Sequence, residues 1–362
     1  MAYTIGACGF IATGSSVISD FLKEFDENQT LDRFEFKLSY QTDGLQDLKY
    51  HLTTGNMKYE SGLAAIQRFR KLSRGYAGRE YRNVTNGQFE KFAGEFLDSI
   101  IQGKWVGTGA DPTVDPVRHF AVRLFRKTRL DRKHYQRERK KGCDLCSYPL
   151  QEICYAINPE NFDAEAKKLT GRILESMGRD PEKNVVLDQP FAGNNPQAAF
   201  GFFENPKAII VDRDPRDYFV HCNVVSYPLG YRFMPIRDVE AFVDLYRRQR
   251  KNQPYRVDSE QVMNIRFEDM IYEYEKTAER IMRFCGLTEH TNPKKYFKPE
   301  MSVNNTQLYR RYPQFAGQIA YIEKELPEYL YDYSKYEDRN IDFGNPFGDN
   351  PLNRVGRKWK SQ

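Results

Sequence analysis

The first 25 residues of the 362-residue chain constrain its fold more than any other part. Residues 3–7 form a short apolar run, and a glycine-rich stretch follows up to position 14. From Ser15 onward, apolar residues recur at the spacing of one helical face, at Val17, Ile18, Phe21, Leu22 and Phe25. A strand, a glycine-rich loop and a helix in this order are typical of a parallel α/β sheet.

Other short apolar runs are candidate strands: residues 34–38, 185–187, 209–211 and 262–265. Such runs are typical of strands that are buried on both faces of a parallel sheet. A turn and a helix-like stretch follow the last two runs, so strands and helices alternate. Residues from about 55 to 180 show helical spacing without a good strand candidate, and we expect a largely helical insertion there.

The sequence GFIATGSS at residues 9–16 fits the phosphate-loop pattern G-x4-G-x-[ST], with Ser15 in place of the usual lysine. Glycines let backbone N–H groups converge on an anion, and the N-terminus of the following helix adds positive potential. A nucleotide kinase or hydrolase uses the missing lysine on the β- and γ-phosphates, which counts against ATP chemistry. The alternative is an ordinary glycine-rich turn.

A second candidate anion site lies in IIVDRDPRD, residues 209–217. Arg213 follows an apolar run, and Pro215 behind it favours the start of a helix. Because ligands of open parallel sheets lie outside the carboxyl ends of the strands, we expect Arg213 at the same edge as the loop. Its planar guanidinium suits a phosphate. The alternative is a network of ion pairs between this arginine and the neighbouring aspartates.

These residues resemble the sulfotransferases that use 3′-phosphoadenosine 5′-phosphosulfate (PAPS). The 5′-phosphosulfate loop of that family, GxP[KR]SGTT, aligns without a gap with residues 9–16, and its 3′-phosphate segment, RNPRDxxxS, is similar to residues 213–221. Residues 265–287 resemble the family's RYEDL…FLGL element, and residues 322–330 are similar to the helix that often closes these domains. The matches occur in family order.

The resemblance implies a fold and a reaction. The fold is a P-loop-like parallel sheet flanked by helices, in a single α/β domain over residues 1–335. The helical insertion lies within it, and a C-terminal arm of residues 336–362 follows. The reaction moves a sulfuryl group from PAPS to an acceptor hydroxyl and requires no metal.

The resemblance also assigns roles to individual residues. The loop is expected to hold the 5′-phosphosulfate through backbone N–H and hydroxyl groups, at Gly9, Ala12, Thr13, Gly14, Ser15 and Ser16. Arg213 is expected to hold the 3′-phosphate with the help of His221. Arg310 or Arg311, in the segment 302–311, is expected to complete the nucleotide site.

Two positions depart from the family pattern. Ala12 stands where the family has Lys or Arg, and loss of one such donor of transition-state charge stabilisation is worth about 3 kcal/mol. Lys37 is a candidate replacement, and the alternative is a solvent-facing lysine. His221 stands where the family has serine, and it can still donate a hydrogen bond to phosphate, more strongly when protonated.

Three residues are candidates for the general base that takes the acceptor's proton. Glu35 lies between two phenylalanines, so a strand at 34–38 would place it on the opposite face with a raised pKa. His51 is the second candidate. Asp188, at the end of a predicted strand, is the third. The alternative for each is a surface or capping residue.

The distribution of charge along the chain indicates which classes of molecule the protein could bind. The net charge of +5 is too small to indicate nucleic-acid binding, but residues 118–141 hold eleven Lys or Arg against two acids. An anionic glycan acceptor could be attracted there. The alternative is a solvated helix face.

Targeting and cysteine patterns predict a cytoplasmic protein without a membrane span. No apolar run approaches 18 residues, and the N-terminus lacks the pattern of a signal peptide. The six cysteines are scattered, as in a reducing compartment. Cys143 and Cys146 form a lone CxxC, for which reduced thiols are favoured over a zinc site.

The sequence thus predicts a PAPS-dependent sulfotransferase. By analogy with bacterial relatives, its acceptor is expected to be a carbohydrate or glycolipid hydroxyl. The alternatives are a P-loop nucleotide kinase or hydrolase and a catalytically silent, sulfotransferase-like binding protein.

Overall fold

The computed structural model describes residues 2–54, 59–108, 150–251 and 258–336, together with helical positions 117, 120 and 124. The basic segment 118–141 lies outside the described residues except for two of those positions. Cys143, Cys146 and, beyond Tyr336, the predicted C-terminal arm also lie outside them. The chain divides into two units: Met1–Phe36, Asp180–Phe200 and Asn205–Gln362 form the first, and Lys37–Arg179 and Gly201–Glu204 form the second.

The first unit is built on a parallel sheet. The described strands are β1 (Thr4–Gly9), β2 (Asn28–Leu31), β3 (Gly103–Thr108), β4 (Leu150–Tyr155), β5 (Asn184–Asp188), β6 (Pro206–Asp212) and β7 (Val262–Arg266). Five of them form one sheet in the order β2-β5-β1-β6-β7, with every neighbouring pair parallel. The predicted α/β class, a parallel sheet flanked by helices, is confirmed.

Helices connect and cover these strands. In the described residues they are α1 (Ser16–Leu22), α2 (Leu45–Thr53), α3 (Tyr59–Arg74), α4 (Arg79–Val84), α5 (Phe89–Ile100), α6 (Phe162–Ser176), α7 (Pro215–His221), α8 (Val239–Lys251), α9 (Asp269–Tyr272), α10 (Tyr274–Cys285), α11 (Pro299–Ser302) and α12 (Ala316–Glu325). Among these described helices, none has the length and apolar character needed to cross a membrane.

The N-terminal strand, loop and helix occur as predicted. Ile5 and Ala7 on β1 are buried in one core cluster with the apolar face of α1, which comprises Val17, Ile18, Phe21 and Leu22. Phe25 joins the same cluster just beyond the helix. Burial of this stripe against the central strand fixes where α1 begins, and therefore where the loop before it ends.

The prediction of the second strand was wrong. The strand is β2, Asn28–Leu31, and residues 34–36 are irregular before a 3-10 turn at Lys37–Ser39. Phe36 and Leu38 are buried in alternation, and Phe36 donates a backbone hydrogen bond to the Asp188 carbonyl at 2.7 Å, but no strand forms at these residues. Because β2 is an edge strand, its NQTL sequence needs no continuous apolar run, so the pattern could not identify it.

The second unit contains α2 to α6 together with an antiparallel pair, β3 and β4. The sequence shows no strand candidate there because this pair is partly exposed to solvent, with Trp105 and Val106 uncovered. The helices bury several aromatic side chains, including Phe69, Phe89, Phe96 and Phe162. In its described residues the insertion is therefore helical with one antiparallel strand pair, whereas its place within a single domain remains a prediction.

Candidate functional site

The carboxyl ends of the parallel strands bring the candidate residues of the first unit together. Gly9 at the end of β1 is paired in register with Val211 of β6, and Ala7 with Asp188 of β5. Asp212 is in turn level with Arg266 at the end of β7. The segments that leave these strands, beginning at Phe10, Gln189, Arg213 and Phe267, therefore lie along one edge of the sheet.

Thr13 closes the loop after β1. Its Oγ1 lies 2.7 Å from both the Phe10 and the Val211 carbonyl oxygens, and it accepts the Phe10 N–H at 3.0 Å. The Thr13 N–H also donates to the Phe10 carbonyl, at 3.0 Å. Both polar groups of Thr13 are engaged inside the turn, so its contribution to a phosphate site is to shape the loop.

The loop conformation depends on two left-handed residues and one close contact. Ala12 has φ of 61° and Gly14 has φ of 93°. A Cβ added to Gly14 would lie 2.6 Å from Cδ2 of Phe267, so glycine is required for space as well as for backbone angle. Phe267 thus packs directly against the loop, from the segment that follows β7.

Ser15 and Ser16 carry the first turn of α1. The first N–H groups of a helix have no partner within the helix and point toward the space before it. Gln189, just after β5, donates from Nε2 to Ser15 Oγ at 2.7 Å and accepts the Gly9 N–H on Oε1 at 3.3 Å. This glutamine braces both ends of the loop, and Ser16 beside it is exposed.

Arg213 lies at this edge with an unsatisfied donor. Its side chain is buried, with 2% of the residue exposed, and its Nη2 donates to the Asn305 carbonyl. Its Nε has no hydrogen-bond partner among the described residues. The guanidinium carbon is 4.9 Å from the centroid of the Phe267 ring. The loop glycine and the arginine therefore contact the same aromatic ring.

The second arginine of the RDPRD segment has a different environment. Arg216 makes a bidentate pair with Asp214, Nε to Oδ1 at 3.0 Å and Nη2 to Oδ2 at 2.7 Å. Asp214 also caps α7 by accepting the Arg216 N–H. An ion-pair network like the alternative considered for Arg213 does exist at the helix start, but it is built on Arg216. In the described residues no carboxylate lies within ion-pair distance of Arg213.

Asp217 and Glu268 are fully buried carboxylates behind Arg213. Asp217 accepts the Gln307 N–H at 2.8 Å and the Tyr333 hydroxyl at 2.7 Å. Burial, reinforced by Asp214, raises the pKa of Asp217 to about 6. Burial also raises the pKa of Glu268 to about 7, although the Arg266 charge opposes this. These acids attach the late segments of the chain to the helix that follows Arg213.

His221 ends α7 and is an electrostatic neighbour of Arg213. Burial lowers the pKa of His221 to about 3, and the charge of Arg213 adds to this effect. The imidazole is therefore neutral near pH 7, in contrast to the protonated form that the sequence favoured for phosphate binding. A neutral imidazole still offers one N–H donor.

Arg310 belongs to the 3-10 turn Leu308–Arg311 and is exposed. Its Nη1 donates to the Gln307 side chain at 2.7 Å. The backbone N–H of the same glutamine is held by Asp217, so Arg310 is connected to the RDPRD segment through one residue. Arg311 instead donates to the Asn304 carbonyl at 2.7 Å, which fixes the loop itself.

The candidate bases fall in both units. Glu35 is exposed, and its neighbour Phe36 is hydrogen-bonded to the Asp188 backbone, so Glu35 and Asp188 lie near the ends of adjacent strands. His51 belongs to α2 of the second unit, half-buried and edge-on to Tyr50. Lys37, the candidate replacement for the loop cation, also belongs to the second unit. In the described ranges, no group of three or more His, Cys, Asp or Glu side chains is placed to hold a metal.

Comparison with known proteins identifies the family. The family model described as "Sulfotransferase family" matches residues 108–291, half of the chain. The chain belongs to the sulfotransferase family. This match includes Asp188, Arg213 and His221, whereas the loop at residues 9–16 precedes it.

The matches among solved structures include two sulfotransferases. The sulfotransferase domain from the curacin biosynthetic pathway is 12% identical, with 91% of this chain and 99% of that chain covered and a TM-score of 0.37. Sulfotransferase STF1 from Mycobacterium tuberculosis H37Rv is 12% identical, with 80% and 68% covered and a TM-score of 0.31. The search of curated proteins gave no match.

Sequence reasoning missed several residues of this sulfotransferase's candidate site. Gln189, Gln307 and Tyr333 act through contacts with residues far away in the chain, and nothing in their local sequence marks them. Phe267 could have been identified from the sequence, because it lies in the IRFEDM stretch that resembles the family element.

Proposed function

We propose that the protein transfers a sulfuryl group from PAPS to a hydroxyl of a carbohydrate or glycolipid acceptor. The observation that carries this proposal is the shared contact with Phe267. A lysine-free anion loop and an arginine with an unsatisfied buried donor lie against one ring, at the carboxyl edge of a parallel sheet. Two anion sites at one edge suit a donor with phosphate groups at both the 5′ and the 3′ positions.

The loop is assigned to the 5′-phosphosulfate. The backbone N–H groups of Gly14, Ser15 and Ser16 belong to the residues at and just before the start of α1, where the helix dipole favours an anion. Ser15 Oγ accepts a hydrogen bond from Gln189, which leaves its own hydroxyl hydrogen available for donation. Gly9 and Ala12 set the path of the backbone, and Thr13 closes it.

Arg213 is assigned to the 3′-phosphate. The Arg213 Nε, which has no partner among the described residues, would gain an acceptor there, and its buried guanidinium would gain a counter-charge. His221 would contribute one N–H as a neutral group. Arg310, held by Gln307, would add a second positive charge from the exposed side.

The chemical step is an in-line displacement at sulfur. The acceptor oxygen forms a bond to sulfur while the bond from sulfur to the 5′-phosphate oxygen breaks. The acceptor's proton passes to a base, for which Glu35, Asp188 and His51 remain the candidates, and adenosine 3′,5′-bisphosphate leaves. The negative charge that develops on the departing phosphate would be stabilised by the loop N–H groups and the two serine hydroxyls.

The acceptor class and the location stay predictions. The basic segment 118–141 would attract an anionic glycan if it does not simply form a solvated helix face, and a cytoplasmic location is expected from the cysteine pattern.

One observation favours a second candidate, a sulfotransferase-like protein that binds the nucleotide without transferring sulfate. The loop contains no Lys or Arg, since Ala12 occupies the family's cation position. One missing donor of this kind is worth about 3 kcal/mol in the transition state. Transfer would then be too slow to matter while binding persisted.

A transfer assay tests the proposal. The protein is incubated with ³⁵S-labelled PAPS and a panel of neutral and anionic oligosaccharides and glycolipids, and labelled product is separated by chromatography. We expect label on at least one acceptor, and much less label with Arg213→Ala at the same protein concentration and a donor concentration that does not saturate the variant. Binding of adenosine 3′,5′-bisphosphate without label on any acceptor would favour the silent binding protein.

A further inference from the structure

A buried ion pair lies beneath both proposed phosphate sites. Arg250, on α8, has no exposed surface. Its Nε donates to Asp212 Oδ2 at 2.8 Å and its Nη2 to Asp212 Oδ1 at 2.7 Å. Asp212 is the last residue of β6 and immediately precedes Arg213. Neither residue lies in a segment that resembles the family motifs.

The same arginine contacts the loop. Its guanidinium carbon lies 4.0 Å from the centroid of the Phe10 ring and 3.4 Å from that of Tyr246. Phe10 directly follows Gly9, and both its N–H and its carbonyl bind the Thr13 hydroxyl that closes the turn. The position of the Phe10 ring on Arg250 therefore helps to set the position of the loop backbone.

The Arg213 backbone is held by the partners of Arg250. Asp212 Oδ1 accepts the Arg213 N–H at 2.9 Å, and the Tyr246 hydroxyl donates to the Arg213 carbonyl at 2.9 Å. The Asp212 carbonyl also accepts the Phe267 N–H at 2.7 Å. The Asp212–Arg250 ion pair is thus in contact with three parts of the proposed donor site: the loop, Arg213 and Phe267.

A stability role alone does not explain such a pair. Replacing a buried ion pair with apolar residues of similar volume is often neutral or stabilising, because both charges lose their hydration. A bidentate arginine–carboxylate pair does impose a defined geometry on the groups attached to it. Burial opposes ionisation of Asp212, but the charge of Arg250 outweighs it and holds the pKa of Asp212 below its ordinary value.

We propose that Arg250 is a positioning residue of the donor site. By clamping Asp212 and packing on Phe10, it fixes the spacing between the anion loop and Arg213. That spacing selects a nucleotide with phosphates at both the 5′ and 3′ positions over one with a single phosphate. The inference rests on the proposed donor site and adds the residue that sets its dimensions.

The test compares two ligands by titration calorimetry, adenosine 3′,5′-bisphosphate and adenosine 5′-monophosphate. For Arg250→Met, we expect the preference for the bisphosphate to fall about tenfold. Arg250→Lys, which keeps the charge but not the bidentate fork, should restore part of it. A general loss of stability would weaken both ligands alike and leave the ratio unchanged.

Two further comparisons complete the test. In an Arg213→Ala background, Arg250→Met should change the preference by less than about twofold, because the group it positions is absent. The control is Arg248→Met on the same helix, because the Arg248 side chain is exposed and forms a surface ion pair with Asp244. Arg248→Met should show the same preference for the bisphosphate over the monophosphate as the wild-type protein.

The outcomes are distinct. If Arg250→Met does not fold, the charge-balanced variant Asp212→Asn/Arg250→Met takes its place, with the same expected loss of preference. An unchanged preference in the folded variants, or equal losses with and without Arg213, would overturn the positioning role. Failure of the wild-type protein to bind the bisphosphate would overturn the donor site itself, and this inference with it.

Discussion

The loop at residues 9–16 and the RDPRD segment lie at the same edge of the sheet, and the anion recognition that we propose for them would work by different means. The loop at residues 9–16 contains no charged side chain and offers backbone N–H groups in a conformation fixed by Thr13 and Gly14. The RDPRD segment consists almost entirely of charged side chains, each with its own partners. One region depends on backbone shape, and the other depends on which charges are paired.

This difference explains how the family's lysine position can hold alanine. A site made of backbone N–H groups keeps its anion-binding geometry when a side chain is lost, provided the backbone angles stay the same. In the RDPRD segment, by contrast, exchange of Asp214, Arg216 or Asp217 would leave a hydrogen-bonding partner unsatisfied. The segment also contains two arginines with opposite roles, Arg216 paired and Arg213 available.

The largest expected effect is on stability, from Arg216→Ala. This change leaves the Asp214 carboxylate buried and without its bidentate partner. We expect the free energy of unfolding to fall by about 3–5 kcal/mol, measured by chemical denaturation. The control Arg248→Ala, which breaks a solvent-exposed pair, should unfold like wild type. Equal behaviour of the two variants would contradict the paired role of Arg216.

The next effect tests the backbone character of the loop. Gly14→Ala places a Cβ at 2.6 Å from the Phe267 ring and at φ of 93°. Left-handed strain and overpacking together predict a loss of about 3 kcal/mol in stability, with weakened binding of adenosine 3′,5′-bisphosphate. Gly230→Ala has a similar φ of 87° but open space around it, so it should suffer only the strain. Equal losses of stability in Gly14→Ala and Gly230→Ala would show that the contact between Gly14 and Phe267 does not contribute.

The strand, loop and helix at the N-terminus could be predicted from sequence, because periodic apolar residues and glycines report local structure. Arg213 could be placed at the same edge, because the chain direction of parallel strands determines where their ends lie. The edge strand β2 could not be predicted, since its residues are mostly polar. The different roles of Arg213 and Arg216 could not be predicted either. Only the folded chain brings Asn305 to Arg213 and Glu323 to Arg216.

The free energy of unfolding should depend on pH through the buried acids around the RDPRD segment. The loop at residues 9–16 contains no charged side chain and should not contribute to this dependence. Burial raises the pKa of Glu268 to about 7, so the folded protein binds this proton more tightly than the unfolded chain does. The stability that this provides is present at low pH and is lost as pH rises from about 4.5 through 7. Glu268→Gln should remove roughly 2 kcal/mol of that dependence in denaturation experiments between pH 5 and pH 8. If the free energies of unfolding of the wild-type protein and of Glu268→Gln changed with pH by the same amount, the proton-binding role of the buried Glu268 would be contradicted.

The smallest expected effect concerns the brace between β5 and the loop. Gln189→Ala removes the hydrogen bonds to Gly9 and Ser15. Loss of about 1 kcal/mol predicts roughly fivefold weaker binding of adenosine 3′,5′-bisphosphate by calorimetry. Gln102→Ala, which loses two similar bonds to Ile157 in the second unit, is the matched control and should bind as wild type. An unaffected Gln189→Ala protein would place this glutamine outside the donor site.

The proposed donor site is tested most directly by calorimetry with adenosine 3′,5′-bisphosphate and with Mg·ATP, on the wild-type protein and on Arg213→Ala. The bisphosphate should bind more tightly than Mg·ATP. Because a charged hydrogen-bonded contact contributes about 1.5–3 kcal/mol, Arg213→Ala should weaken bisphosphate binding by roughly 10- to 150-fold. Tight Mg·ATP binding that is indifferent to Arg213→Ala would contradict the sulfate-donor assignment and favour a nucleotide kinase or hydrolase.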